Sequence, residues 1–98
     1  MFKIHSDIRR LTEEEKLKYK NDGYITGLPV FSEEAQKDLN DLFVSLSSRL
    51  DSSIDINQTN MWHKASLKFF NLSRTPAILD YVEDLLGPNF FQWGGQFF

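Results

Sequence analysis

Three side chains in this 98-residue sequence could together bind a metal ion: His5, Asp7 and His63. Two imidazoles and one carboxylate form the ligand set that holds iron(II) in non-haem oxygenases, where further positions stay open for a cosubstrate and oxygen. The tripeptide His5-Ser6-Asp7 is weak evidence, because it precedes every element that could hold it rigid. We therefore interpret His5 and Asp7 as solvent-exposed polar residues, and we predict no metal ligand and no catalytic residue within this chain.

His63 follows a tryptophan at the entrance to a predicted helix, in the stretch Asn60-Met61-Trp62-His63-Lys64. A histidine there can be structural, as a capping or hydrogen-bonded residue. It can also line a substrate pocket beside Trp62, because loop residues often form such sites. The sequence leaves both interpretations open.

Two glutamines lie in the aromatic end of the chain, FFQWGGQFF. A glutamine on a buried strand needs hydrogen-bond partners, which a backbone group or a bound cosubstrate can supply. Gln96 is the stronger candidate and Gln92 the weaker one. The predicted substrate or cosubstrate pocket therefore contains Gln96, His63 and Trp62.

Composition excludes several classes of protein. The net charge is −3 and there is no basic cluster, which argues against partners such as nucleic acid or an anionic membrane surface. The absence of cysteine excludes disulfides, thiolate metal sites and a cysteine nucleophile. No stretch approaches the length of an apolar membrane span, and the N-terminus has no apolar signal region, so we predict a cytoplasmic protein. Neither a phosphate-binding glycine loop nor a nucleophile elbow is present.

Cap residues predict the first two helices. Thr12 and Glu15 form a capping box, and the helix that follows should run to about Asn21, with Asp22-Gly23 as its stop. Ser32 is the predicted N-cap of the second helix. The apolar face of that helix comprises Ala35, Leu39, Leu42, Phe43, Leu46 and Leu50.

The second half of the chain predicts two more helices after a polar loop at 51–61. A short helix from Ala65 to Leu72 should bury Leu67 and Phe70, together with Phe69 or Leu72. Pro76 is well placed at the first position of the next helix, which Gly87-Pro88 terminates. The apolar face of this helix comprises Ile78, Leu79, Val82, Leu85 and Leu86.

Two segments read as strands. Residues 24–31 are rich in β-branched and aromatic side chains, and Pro29 limits that strand to an edge or an end. Residues 89–98 are dominated by aromatics, and Gly94-Gly95 permits close approach of another backbone or of a ligand. The predicted fold class is therefore α+β, with N-terminal helices and the first strand or strands of a sheet.

The order of these segments resembles the N-terminal region of the phytanoyl-CoA dioxygenase family. The matching pieces are LTEEEKLKYKNDGYI, VFSEEA, NQTNMWHKAS, RTPAILDYVEDLLGPNF and FQWGGQFF. The resemblance covers nearly the whole chain from residue 11, so residues 1–10 would be a lead-in and 11–98 the N-terminal part of such a domain. It implies a double-stranded β-helix, or jelly-roll, core that is truncated here.

The resemblance also implies an enzyme that uses iron(II) and 2-oxoglutarate to hydroxylate a small organic substrate. The resemblance implies that the H-x-D…H iron ligands, and the basic residue that binds the carboxylate of 2-oxoglutarate, lie beyond Phe98. We therefore expect neither cofactor to bind this fragment, and we predict that the fragment is inactive. Two alternatives stay open. One is a non-catalytic helical interaction module that completes a partner's sheet. The other is a small metalloprotein that uses His5, Asp7 and His63.

Overall fold

The computed structural model of the protein describes residues 2–97. Five helices follow one another along the chain, with a single 3₁₀ turn between the second and the third. They are α1 (Glu13–Asp22), α2 (Glu33–Ser47), the 3₁₀ turn (Ile56–Gln58), α3 (Trp62–Ala65), α4 (Leu67–Ser73) and α5 (Pro76–Leu86).

The predicted α+β class is wrong: the described residues form an all-α fold without a sheet. In the first predicted strand, residues 24–31, Gly27 turns the chain with a φ of 75° and pairing is limited to one isolated antiparallel bridge between Ile4 and Phe31. The second, residues 89–97, forms no regular secondary structure and has no neighbouring strand among the described residues to share its backbone hydrogen bonds. The expected start of a jelly roll is therefore contradicted as well.

The predicted caps of the first two helices are confirmed. The Thr12 hydroxyl accepts from the Glu15 N–H, the Glu15 carboxylate accepts from the Thr12 N–H, and Gly23 ends α1 in the left-handed conformation, with a φ of 82°. Ser32 caps α2 by accepting from the Ala35 N–H. Each cap residue lies within one helical turn of the backbone group that it binds. The caps can therefore be predicted from the sequence alone.

The short helix predicted from Ala65 to Leu72 is instead two helices. Ser66 is extended between them and caps α4 by accepting from the Phe69 N–H. This break turns Phe69 into the core, whereas Leu67 is 74% exposed and Phe70 also lies at the surface. The prediction that Leu67 and Phe70 are buried is therefore wrong.

The core lies between α2, the 3₁₀ turn and the α3–α4 pair. Its buried side chains are Leu42, Leu46, Ile56, Trp62 and Phe69, and Phe97 packs against them from the far end of the chain. The ring of Phe97 makes edge-to-face contacts with Phe43 and Phe69, with centroids 5.1 Å and 5.4 Å apart. Such aromatic pairs add about 0.5–1.5 kcal/mol beyond the area they bury.

An ion pair joins the N-terminal segment to α5. The Asp84 carboxylate accepts from Arg10 Nη2 at 2.6 Å, from Arg10 Nε at 3.0 Å, and from the Leu11 backbone N–H at 3.0 Å. The Asp84 side chain is 8% exposed, and these donors hold its pKa below the ordinary value for an aspartate. Because α1 itself has no buried residue, this contact and the buried Leu11 attach it to the rest of the molecule.

We predict that Asp84→Asn lowers the free energy of unfolding at neutral pH by about 2 kcal/mol, because hydrogen bonds to a charged acceptor contribute about 1.5–3 kcal/mol. The matched control is Asp80→Asn: Asp80 also faces Arg10, at 3.3 Å, but it is 45% exposed and should cost less than about 0.5 kcal/mol. Urea unfolding of the three proteins measures both values.

The same pair gives a pH dependence with a defined sign. A depressed carboxyl pKa in the folded state stabilises the fold above the unfolded pKa, near 3.8 for Asp84, and that stabilisation is lost as the pH falls through the folded value. The difference between wild type and Asp84→Asn should therefore shrink below about pH 4. A difference that stays constant down to pH 2 would exclude the ion pair as its cause.

Candidate functional site

His5 and Asp7 lie together at the surface, away from the third predicted metal ligand. The His5 Nδ1 accepts from the Asp7 backbone N–H at 3.0 Å, so this atom is already used in a local turn. Within residues 2–97, no group of three His, Asp or Glu side chains is close enough to hold a metal ion. His5, Asp7 and His63 are therefore not brought together, and the described residues do not fit iron.

The turn that contains the predicted pocket residues binds the aromatic end of the chain. Asn60 Oδ1 accepts from the Met61 N–H at 2.6 Å and from the Gly95 N–H at 3.1 Å. The Trp62 backbone N–H donates to the Gly95 carbonyl at 3.1 Å. Met61 has a φ of 65°, a left-handed conformation that is uncommon for a residue with a long side chain. We call these contacts between residues 60–62 and Gly95 the clasp.

Gly95 fits the clasp because it has no side chain. A methyl group at this position would lie 2.8 Å from the Phe69 ring and 3.1 Å from His63 Nδ1. Both distances are shorter than ordinary van der Waals contact, and Phe69 is a core residue that cannot move freely. The close approach predicted for Gly94-Gly95 is thus made to the turn at residues 60–63 and to α4.

The predicted pocket residues do not line one common cavity among the described residues. Trp62 is a core residue whose indole N–H donates to Thr59 Oγ1 at 2.8 Å. His63 contributes a buried Nδ1 atom that has no hydrogen-bond partner among the described residues. Gln96 instead lines a separate groove, which Trp62 and His63 do not line.

The groove that Gln96 lines lies between α5 and residues 90–96, and its volume is about 730 Å³. One wall is the α5 face predicted from sequence, including Ile78, Leu79 and Val82. These side chains are half-buried, because the residues of α5 that turn fully into the protein are Ala77 and Tyr81. The apolar pattern predicted the helix correctly, but part of its face lines a groove.

Sequence reasoning missed Asn60, whose Oδ1 accepts one of the two hydrogen bonds of the clasp and also accepts from the Met61 N–H. The signal that could have found it is the pair Gly94-Gly95, since two adjacent glycines in an aromatic segment require a close polar neighbour for their backbone groups. Nothing in the sequence says which of the polar residues at 51–61 is that neighbour. Gln92, the weaker candidate, donates to the Gly94 carbonyl at 3.0 Å and supports the same bend.

Comparison of the chain with protein-family models, with curated proteins and with solved structures finds no match. The resemblance to phytanoyl-CoA dioxygenases therefore stays a prediction from the sequence. Among the described residues, no helix is long and apolar enough to cross a membrane.

We predict that Gly95→Ala destabilises the protein by about 1–3 kcal/mol, because the added methyl group overpacks the contact with Phe69 and His63. It should also release residues 90–97, which limited proteolysis would detect as new cleavage near Trp93.

Gly94→Ala is the matched control for this substitution. Its methyl group would meet the end of the Asn60 side chain at 3.2 Å, a contact that a small rotation relieves. If both variants lost equal stability, the loss would reflect the glycine backbone and not the contact of Gly95 with Phe69.

Proposed function

We propose that this chain is the helical N-terminal part of an iron(II)- and 2-oxoglutarate-dependent oxygenase that hydroxylates a small organic molecule. The ordered set of five matching segments supports the proposal. The observation that carries it is the clasp: residues 60–62 and Gly95, which are more than 30 residues apart in sequence, are held in contact by hydrogen bonds. In this proposal the helices support residues 90–97 and present Gln96 to the substrate or cosubstrate.

The iron ligands would have to come from a further part of a longer chain, since residues 2–97 do not supply them. When bound, the metal would position 2-oxoglutarate and activate oxygen. The residues described here would bind and orient without touching the metal. A cytoplasmic location stays a prediction.

The buried Nδ1 of His63 is consistent with a residue kept for function. An unpaired buried polar atom costs about 1–3 kcal/mol, so a histidine that served stability alone would be expected to have a partner. A ligand or a further segment of the chain could supply the missing hydrogen bond.

We predict that His63→Leu leaves the free energy of unfolding unchanged or raises it by about 1 kcal/mol, because leucine removes an unpaired polar atom. His5→Leu is the control, since it removes an acceptor that is in use, and it should be neutral or slightly destabilising. Urea unfolding measures both. A loss of several kcal/mol in His63→Leu would show that the imidazole has an essential structural partner.

The oxygenase proposal is tested by sequencing the gene or transcript beyond the codon for Phe98. We expect the reading frame to continue and to encode H-x-D within ~10–30 residues, followed by a further histidine and an arginine, as the resemblance implies. In the protein so defined, Gln96→Leu should lower the turnover of 2-oxoglutarate by about tenfold, an order typical of a lost hydrogen bond to a bound group. Gln36→Leu, on the exposed side of α2, should have no effect.

A stop codon directly after Phe98 would overturn the proposal and favour a helical interaction module. One observation favours that second candidate. Residues 90–94 donate no backbone hydrogen bond to the rest of residues 2–97, while Phe91 and Trp93 are 80% and 84% exposed. A partner's strand could pair with such a segment through its backbone. A concentration-dependent increase in mass on size-exclusion chromatography would support this candidate.

A further inference from the structure

The groove between α5 and residues 90–96 has the dimensions of a small-molecule site. Its volume of about 730 Å³ falls within the ~300–1,000 Å³ that is usual for ligand pockets. Phe69 and Leu72 contribute to its lining from α4. Phe91 and Trp93 are exposed, whereas Ile78 and Leu79 are half-buried. A flat protein surface would rest on the exposed rings and leave the half-buried side chains uncovered, but a small molecule can reach both.

The lining of this groove carries no charge. None of its described residues is Asp, Glu, Lys, Arg or His, although charged residues make up 26% of the sequence. A second groove, of about 550 Å³ between α2 and α4, differs in this respect. Its lining includes four charged residues: Asp38, Asp41, Arg49 and Lys68. A charged ligand in the α5 groove would lose hydration without gaining a counter-charge, so the groove selects against ions.

Three of the polar side chains that line the groove already make hydrogen bonds within the protein. Ser73 Oγ donates to the Phe69 carbonyl, Asn60 Oδ1 accepts two N–H groups, and Gln92 Nε2 donates to the Gly94 carbonyl. The Gln96 amide is exposed and makes no hydrogen bond to the described residues. It can therefore both donate to and accept from a ligand.

The remaining lining is unusually aromatic. Phe69, Phe90, Phe91 and Trp93 all border the groove, and aromatic rings pack favourably in offset or edge-to-face contact with another ring. We propose that the groove between α5 and residues 90–96 binds a small, uncharged aromatic molecule whose hydroxyl, amine or carbonyl group meets Gln96. Binding of such a molecule does not depend on the proposed function. The further statement that it is the substrate rests on the proposed function.

The test uses two fluorescent probes that differ by one charged group. N-phenyl-1-naphthylamine is neutral, and 8-anilino-1-naphthalenesulfonate is the same ring system with a sulfonate. We expect one equivalent of the neutral probe to bind the 98-residue chain at least about tenfold more tightly than the anionic probe, because the sulfonate would be desolvated without a counter-charge. Quenching of Trp93, measured against Trp93→Phe, places the probe.

Two variants locate the site. Val82→Asp puts a charge into the groove and should weaken the neutral probe at least about tenfold, while Val44→Asp makes the same change on an exposed position of α2 and should leave binding unchanged. Since a charge at Val82 can also unfold the protein, Phe91→Ser provides a second variant at an 80% exposed position, expected to weaken binding several-fold with the cooperative melt retained.

Equal affinity for the two probes, several equivalents bound, or unchanged binding in both Val82→Asp and Phe91→Ser would overturn the proposal. So would a stable dimer that excludes the neutral probe, because the groove would then be covered by a second copy. This test and the oxygenase test can fail separately. A longer, active protein that does not bind the probe would refute only the proposal that the groove binds a ligand. Probe binding by a chain that stops at Phe98 would refute only the oxygenase proposal.

Discussion

The packing of Phe97 among other aromatic rings is the contact on which much of the rest depends. Phe43, Trp62 and Phe69 come from α2, α3 and α4, and all three rings lie within 6.3 Å of the Phe97 ring between centroids. A chain of this length buries only a modest share of its surface, so one large, partly buried side chain that contacts three helices matters to the packing of the core. With Phe97 in that position, Gly95 must pass close to His63 and Phe69.

The helices could be predicted because their signals are local. The capping box of α1, the Ser32 cap and Pro76 each act within one turn of the helix they begin, and all three lie where the sequence indicated. The strands could not be predicted in the same way. An aromatic segment such as 89–97 satisfies the residue preferences of a strand, but a strand exists only when a neighbour shares its hydrogen bonds, and in residues 2–97 the Asn60 side chain and the Trp62 backbone contact it instead.

The arrangement of the candidate site residues could not be predicted from the sequence, for a related reason. Trp62, His63 and Gln96 were chosen for their chemistry, and the structure places the first two beside Gly95 and the third on the groove wall. Which of them lines the groove depends on the course of residues 90–97, and Gly95 is held in place by contacts with residues over 30 positions away in sequence. The absence of charge in the groove likewise becomes visible only when α4, α5 and residues 90–96 are seen together.

The distance along the chain between contacting residues also determines when each part of the fold can form during synthesis. The α3–α4 contacts are local in sequence and can form early. Arg10 must wait for Asp84, a separation of 74 residues, and Asn60 must wait for Gly95, a separation of 35. A ribosome adds residues from the N-terminus, so α1 remains unattached until Asp84 has emerged, and the core remains open to solvent until Phe97 has emerged. During that interval Trp62 and Phe69 lack the Phe97 ring, and the nascent chain is exposed to chaperones and to aggregation at its own core.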